Sequence, residues 1–178
     1  ILDKNDLILQ ESGCVGSENE RGNTYMKKIG IVTDSHSSIS QEEAKKLGIF
    51  VLPMPFYIDG ECYYESVTLS RELFFEKLTS GADISTSQPS PTAVMEIWDK
   101  ALEEYEKILY MPISSGLSSS YNTAMMLAQE EKYEGRVLVV DDGQVAAPLH
   151  QMILDTLDMI EKGYEAEHIR ELLEKAGD

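Results

Sequence analysis

Two short segments of this chain are rich in hydroxyl side chains. Residues 86–90 read Thr-Ser-Gln-Pro-Ser, and residues 113–121 read Ile-Ser-Ser-Gly-Leu-Ser-Ser-Ser-Tyr. Each segment precedes a helix-like run, so the pattern places hydroxyl groups and free backbone N–H groups near two helix N-termini. Such neutral donors can hold an anion without a metal ion or a fixed cationic side chain. The sequence therefore predicts a binding site for an anionic head group.

The same pattern has a structural explanation, because serine and threonine also cap helices. Ser90 precedes Pro91, and this pair is typical of a helix start. Ser90 therefore accounts for one hydroxyl of the first segment. In the second segment, residues 114–120 hold five serines, which is more than one helix cap needs. Both explanations stay open at this point.

Motifs of common catalytic sites are missing from the sequence. Ser115-Gly116 does not form the GxSxG turn of serine hydrolases, and no histidine is placed to activate Ser115. Phosphate-binding glycine loops and His or Cys pairs with metal-ligand spacing are also missing. Asp34 follows a predicted strand, and helix capping is its favoured interpretation. We therefore expect no catalytic residue, no metal and no cofactor.

The composition and net charge of the chain limit the kinds of partner that it can bind. The chain has 178 residues, 42% of them hydrophobic, and a net charge of −17. It has no basic stripe for a nucleic-acid backbone, and its charge disfavours an anionic membrane surface. No apolar run reaches the length of a transmembrane helix, about 20 residues. We expect a cytoplasmic protein that neither binds nucleic acid nor inserts into a membrane.

The order of elements predicts an α/β fold with a mainly parallel sheet flanked by helices. Residues 50–58 are predicted as one bent strand that pairs with 61–64 through the Asp59-Gly60 turn. The segments that begin at Thr33 and Ile113, at the ends of the strands predicted at 29–32 and 107–113, lie at the same sheet edge. The other strands are predicted at 29–32, 107–113 and 136–140, the last one central, and the helices start near Ser40, Ser70, Ser90, Leu117, Val145 and Ala166.

Residues 1–25 differ from the rest. Their glycine, serine and asparagine residues break any period, and Met26-Lys27-Lys28 resembles a natural protein start. We interpret 1–25 as an extension that precedes the domain. An ordered N-terminal arm is the alternative.

The motifs above resemble those of the DegV family of bacterial fatty-acid-binding proteins. The similarity runs from about Met26 to the end of the chain, and its most specific part is the combination of the two hydroxyl-rich motifs. It implies that residues 26–178 form the N-terminal lobe of a two-lobed protein, with the second lobe absent from this sequence. The matching stretches are residues 31–35, 51–53, 86–90, 113–121 and 139–141.

The resemblance also implies a function. Family members bury a long-chain fatty acid between the lobes, and hydroxyls of the two motifs hold its carboxylate. By position, the head-group residues here are Thr86 and Ser115, with Ser118 and Ser35 nearby. Family members are non-catalytic; they present the acid to a separate ATP-binding fatty acid kinase subunit, whose acyl phosphate product feeds phospholipid synthesis. Residues proposed to line the acyl tail are Met54, Phe56, Ile58 and Leu117.

The sequence departs from the family pattern at three places. Asp142 stands where a small residue is usual. Ser119 stands where the family usually has glycine, and residues 145–148, Val-Ala-Ala-Pro, replace a glycine-rich stretch. Two other functions stay open. The serine loops could bind a small phosphorylated metabolite, or the domain could be a regulatory or dimerisation module.

Overall fold

The computed structural model describes residues 27–64, 68 and 71–177. The predicted extension, residues 1–25, lies outside the described residues. The strands are β1 (Lys27–Asp34), β2 (Phe50–Leu52), β3 (Pro55–Ile58), β4 (Glu61–Tyr64), β5 (Ile84–Thr86), β6 (Tyr105–Met111) and β7 (Val137–Val139). The helices are α1 (Gln41–Leu47), α2 (Arg71–Thr79), α3 (Pro91–Glu104), α4 (Ser120–Leu127), α5 (Ala147–Glu161) and α6 (Ala166–Gly177), with a short 3-10 helix at Ser35–Ser37.

Four of these strands form a parallel sheet in the order β2-β1-β6-β7. Side chains alternate between the faces of each strand. On β1, Ile31 faces the core that α1, α5 and α6 cover, while Val32 faces the core that α3 and α4 cover. Both faces are therefore buried under helices, as a parallel sheet requires, and the predicted fold class is confirmed.

The remaining three strands form a separate antiparallel sheet in the order β4-β3-β5. The predicted Asp59-Gly60 turn joins β3 to β4, with Ile58 opposite Glu61. Thr86 ends β5 and pairs with Phe56 of β3. No strand was predicted at residues 84–86, so the position of Thr86 in β5 corrects the predicted set of strands. The strand has only three residues, too few to show a periodic pattern.

Two further predictions about strands are wrong in detail. Residues 50–58 form two strands in different sheets, because the chain leaves the parallel sheet after Leu52. Proline cannot donate a ladder hydrogen bond, and Pro53 follows Leu52 directly. Strand β7 lies at the edge of the described parallel sheet rather than at its centre. The apolar sequence of β7 favoured a central strand. The three residues of this edge strand are all buried, which explains why they are apolar.

The helix starts follow the sequence closely where a side chain caps them. Ser40 accepts a hydrogen bond from the backbone N–H of Glu43 at 3.1 Å, and Ser90 accepts one from Ala93 at 3.2 Å. Helix α4 begins at Ser120, later than the predicted Leu117. The N–H groups of Leu117 and Ser118 both turn back to the carbonyl of Ser114, which delays the helix.

Candidate functional site

The carboxyl ends of β1 and β6 lie side by side, with Thr33 opposite Met111. The Thr33 hydroxyl donates to the Met111 carbonyl at 2.7 Å. Asp34 is fully buried, and its carboxylate accepts from the backbone N–H of His36 and of Ile113, both at 2.9 Å. The predicted capping role of Asp34 is confirmed, and Asp34 also fastens the end of one strand to the loop after the other.

Ser35 follows directly and is half-buried. Its hydroxyl oxygen accepts a hydrogen bond from the backbone N–H of Met54 at 3.2 Å. This contact ties the end of β1 to the segment that leads into the antiparallel sheet. A hydroxyl that accepts one hydrogen bond still has its own proton to donate.

Most backbone N–H groups of the serine loop, residues 113–120, donate to acceptors within the protein. Beyond Ile113, the N–H of Ser114 donates to the Gln144 carbonyl at 3.2 Å, and the N–H of Ser115 donates to Asp141 Oδ1 at 3.2 Å. The next N–H groups are satisfied within the loop, by the side chain or carbonyl of Ser114. Every backbone N–H from residue 113 to 118 therefore has an acceptor. Free N–H groups were expected at Ser118–Ser120, and those of Ser118 and Ser120 are engaged.

The loop also carries hydroxyl donors. Ser118 Oγ accepts from the N–H of Ser120 at 3.2 Å and from the Ser120 hydroxyl at 2.9 Å, so the Ser118 proton is left to donate elsewhere. Ser115 is exposed, and Ser118 is half-buried. Ser119 occupies the N-cap position of α4 but makes no side-chain cap bond.

The first motif approaches the serine loop through its glutamine. The amide oxygen of Gln88 accepts from the hydroxyl of Thr123, in the first turn of α4, at 3.4 Å. Thr86 is exposed at the end of β5. The structure thus places Ser35, Ser115 and Ser118 at one edge of the parallel sheet, and it holds the segment that follows Thr86 against α4. The Gln88–Thr123 contact was not predicted, and neither residue type signals it.

A cavity of about 340 Å³ lies beside the first motif. Its lining comes from β2, the β3–β4 hairpin and the start of α3, and none of the lining residues is charged. The sequence did not predict this cavity. None of the four residues proposed for the acyl tail lines it; Met54 and Ile58 are buried, and Leu117 is 65% exposed. Its lining includes Leu52, Pro55, Tyr57, Cys62, Pro89 and Ala93.

Two acidic residues that follow β7, Asp141 and Asp142, lie near the serine loop. Asp142 is fully buried; its Oδ1 accepts from the N–H of Gln144 at 3.0 Å, and its Oδ2 has no partner among the described residues. Burial raises the pKa of Asp142, and the neighbouring charges of Asp141 and Asp34 raise it further. The contact of Asp141 with Ser115 was not predicted, because it joins residues that lie far apart in the sequence.

The described residues lack two further kinds of feature. They contain no group of three or more His, Cys, Asp or Glu side chains arranged to hold a metal ion. Within the same part of the chain, no helix is both long enough and apolar enough to cross a membrane.

Comparison with known proteins identifies the class. Residues 28–178 match the model of the DegV family, described as "Uncharacterised protein, DegV family". The chain therefore belongs to the DegV family. Its sequence is 31% identical over 144 residues to a DegV domain-containing protein of Caldanaerobacter subterraneus subsp. tengcongensis, covering 81% of this chain and 51% of that protein.

Two further relatives extend the comparison. A DegV domain-containing 15.5 kDa protein of Staphylococcus aureus is 30% identical over 135 residues, covering 76% of this chain and 95% of that protein. A DegV family protein from Thermus thermophilus, whose structure is described by its fatty acid binding, superposes with a TM-score of 0.76 at 32% identity. That superposition covers 84% of this chain and 53% of the other. The chain spans about half the length of the first curated relatives it matches.

Proposed function

We propose that this domain binds a long-chain fatty acid through its carboxylate. The head group would accept hydrogen bonds from Ser115 and Ser118, with Ser35 and Thr86 supplying further hydroxyls from the neighbouring segments. One observation carries the proposal: every backbone N–H from residue 113 to 118 already has an acceptor in the protein, and the hydroxyls of Ser115 and Ser118 remain as donors at the sheet edge. The similarity to the fatty-acid-binding protein of Thermus thermophilus supports the same ligand class.

The donors suit a carboxylate better than a phosphate. A phosphate carries up to two charges and is usually bound by several backbone N–H groups or by Arg and Lys side chains. Here the N–H groups of residues 113–118 are engaged, and Asp141 contacts the same loop. A small phosphorylated metabolite, the alternative from the sequence, is therefore less well matched by these contacts.

The acyl tail needs an apolar space. The uncharged cavity beside the first motif has a volume of about 340 Å³, within the range of about 300–1,000 Å³ that is usual for small-molecule sites. We infer that this cavity receives part of the tail. Met54, Phe56, Ile58 and Leu117 remain the sequence-based candidates for further tail contacts.

The same donors suit a carboxylate that is a reactant. Hydroxyls orient a carboxylate while leaving its oxygen more nucleophilic than a tight cationic clamp would. We infer that the domain presents the acid to a separate ATP-binding fatty acid kinase subunit in the bacterial cytoplasm, and that the acyl phosphate feeds phospholipid synthesis. In this role the domain itself is not a catalyst and needs no metal or cofactor.

Replacing Ser115 by alanine tests the head-group assignment. We expect the affinity of the delipidated 178-residue chain for palmitate to fall by about 10- to 100-fold, since a hydrogen bond to a charged group is lost. Titration calorimetry measures the affinity, and mass spectrometry of organic extracts measures the lipid that copurifies. Ser80→Ala is the matched control. The Ser80 hydroxyl donates to the backbone carbonyl of Lys77 at the end of α2 and belongs to neither hydroxyl-rich motif.

The outcomes separate the candidate functions. Palmitate binding that is unchanged in Ser115→Ala would contradict the head-group assignment. A chain that ignores palmitate but is stabilised by inorganic phosphate would favour the phosphorylated metabolite. Association of the chain without any ligand would favour a dimerisation module. The kinase role is tested by adding hydroxylamine to the palmitate complex with ATP and a fatty acid kinase subunit, and measuring the hydroxamate that traps an acyl phosphate.

A further inference from the structure

Asp141 contacts the proposed head-group loop directly. It lies just beyond β7, is half-buried, and its Oδ1 accepts from the N–H groups of Ser115 at 3.2 Å and Gly143 at 3.3 Å. These two bonds fix the carboxylate against the backbone of a residue whose hydroxyl is proposed to bind the ligand. A negative charge is thus built into the site.

The serine loop itself has no cationic side chain that could offset the charge of Asp141. Asp34 and Asp142 lie fully buried at the same sheet edge. Oδ1 of Asp34 is 3.1 Å from Nδ1 of His36, and burial raises the pKa of Asp142, which favours its protonated form. Among the described residues, no recorded hydrogen bond of residues 113–120 involves Lys or Arg. Arg170, which acts electrostatically on Tyr121, is paired with Glu174 at 2.8 Å.

We propose that Asp141 makes the site selective for a singly charged head group. The inference rests on the proposed function. Repulsion between fixed charges scales with the product of the charges, so Asp141 opposes a doubly charged phosphate about twice as strongly as a carboxylate. The hydroxyls of Ser115 and Ser118 offset the smaller repulsion. An acyl phosphate would then be held less tightly than the fatty acid from which it forms, which favours release of the phosphorylated product.

Asp141 also has a structural role, since it holds the N–H of Ser115. The substitution Asp141→Asn separates the two roles, because the asparagine carbonyl oxygen can accept the same two hydrogen bonds. The variant therefore removes the charge and leaves the acceptor in place. A purely structural effect would change the affinity for every ligand of the same tail by a similar factor.

The test uses three ligands with the same tail and head groups of increasing charge: hexadecanol, palmitate and hexadecylphosphonate, at an alkaline pH where the phosphonate is a dianion. In the native 178-residue chain we expect palmitate to bind about tenfold or more tightly than the phosphonate. In Asp141→Asn we expect no change for the alcohol and tighter binding of palmitate. The phosphonate should gain about twice as much as palmitate on a logarithmic scale.

Asp155→Asn is the matched control, because Asp155 is exposed on α5 and contacts Gln151; it should leave all three affinities unchanged. Equal shifts for the three ligands in Asp141→Asn, or an unchanged ratio of palmitate to phosphonate, would overturn the selectivity role while palmitate binding itself stands. A native chain that binds none of the three would instead overturn the proposed function and this inference with it.

Discussion

At the scale of single residues, three aspartates at the same sheet edge, Asp34, Asp141 and Asp142, have different hydrogen-bonding roles. Both oxygens of the Asp34 carboxylate accept backbone hydrogen bonds. Asp141 holds the serine loop. Asp142 is buried with one oxygen unpartnered among the described residues, an arrangement that costs free energy when the group is ionised. The residue type alone cannot separate these roles, because each depends on which N–H groups the fold brings within reach.

The buried carboxyl of Asp142 predicts a pH dependence of stability. Because burial raises its folded-state pKa, its contribution to stability is complete below the ordinary aspartate pKa and is lost as pH rises through the raised value. Asp142→Asn keeps an acceptor for Gln144 and removes the charge. We expect the free energy of unfolding of the variant, relative to the native chain, to rise with pH by on the order of 1 kcal/mol.

Urea unfolding at several pH values, from acidic to neutral, measures this difference. The exposed Asp155→Asn variant should give a difference that does not change with pH. A difference for Asp142→Asn that is constant or that falls with pH would contradict the inferred cost of ionising Asp142.

At the scale of elements, α5 begins in an unusual way. Ala146, in its N-cap position, has φ 57° and ψ −130° and makes no side-chain cap bond. Its N–H donates to the His36 carbonyl at 2.7 Å, so contact with the loop after β1 holds this conformation. Glycine adopts such angles easily, whereas a Cβ makes them costly. This is also the stretch where the sequence departs from the glycine-rich family pattern.

Ala146→Gly is therefore expected to stabilise the fold by about 1 kcal/mol, since relief of strain exceeds the added freedom of the unfolded chain. The reverse change, Gly163→Ala, serves as the control, because Gly163 has φ 83° and should lose stability. Thermal unfolding of both variants provides the measurement. If Ala146→Gly lowered the melting temperature, the strain at this helix start would be disproved.

At the scale of the whole molecule, the large negative net charge should affect stability. The net charge is −17, of which residues 26–178 carry −14. The described ion pairs, such as Lys46–Glu42 and Lys132–Asp99, join side chains that are mostly exposed, and such pairs contribute little individually. Added salt screens both the repulsion among the excess acidic groups and the attraction within these ion pairs. We expect the relief of repulsion to stabilise the fold more than the weakened ion pairs destabilise it.

We expect the melting temperature to rise by about 2 °C or more when the salt concentration increases from about 10 mM to about 150 mM. Calorimetry of the chain in sodium chloride and in potassium chloride should give the same rise, because screening depends on ionic strength. A fall in melting temperature would mean that the surface ion pairs outweigh the overall repulsion.

The sequence determined the features that depend on local chemistry. Ser40 and Ser90 predicted two helix starts, Asp59-Gly60 predicted the hairpin, and buried strand patterns predicted the α/β class and the shared sheet edge. These succeed because capping, turns and periodic burial are properties of adjacent residues. The two hydroxyl-rich motifs also predicted the location of the head-group site, which stays a prediction.

Only the tertiary structure decided how those donors are used. It split residues 50–58 between two sheets, put β7 at the edge, and made Thr86 the end of a strand. It also brought Asp141 and Gln144 against the serine loop, where they accept hydrogen bonds from the N–H groups of Ser115 and Ser114. These outcomes depend on contacts between residues far apart in the chain, and a local pattern cannot show which distant acceptor reaches a given donor.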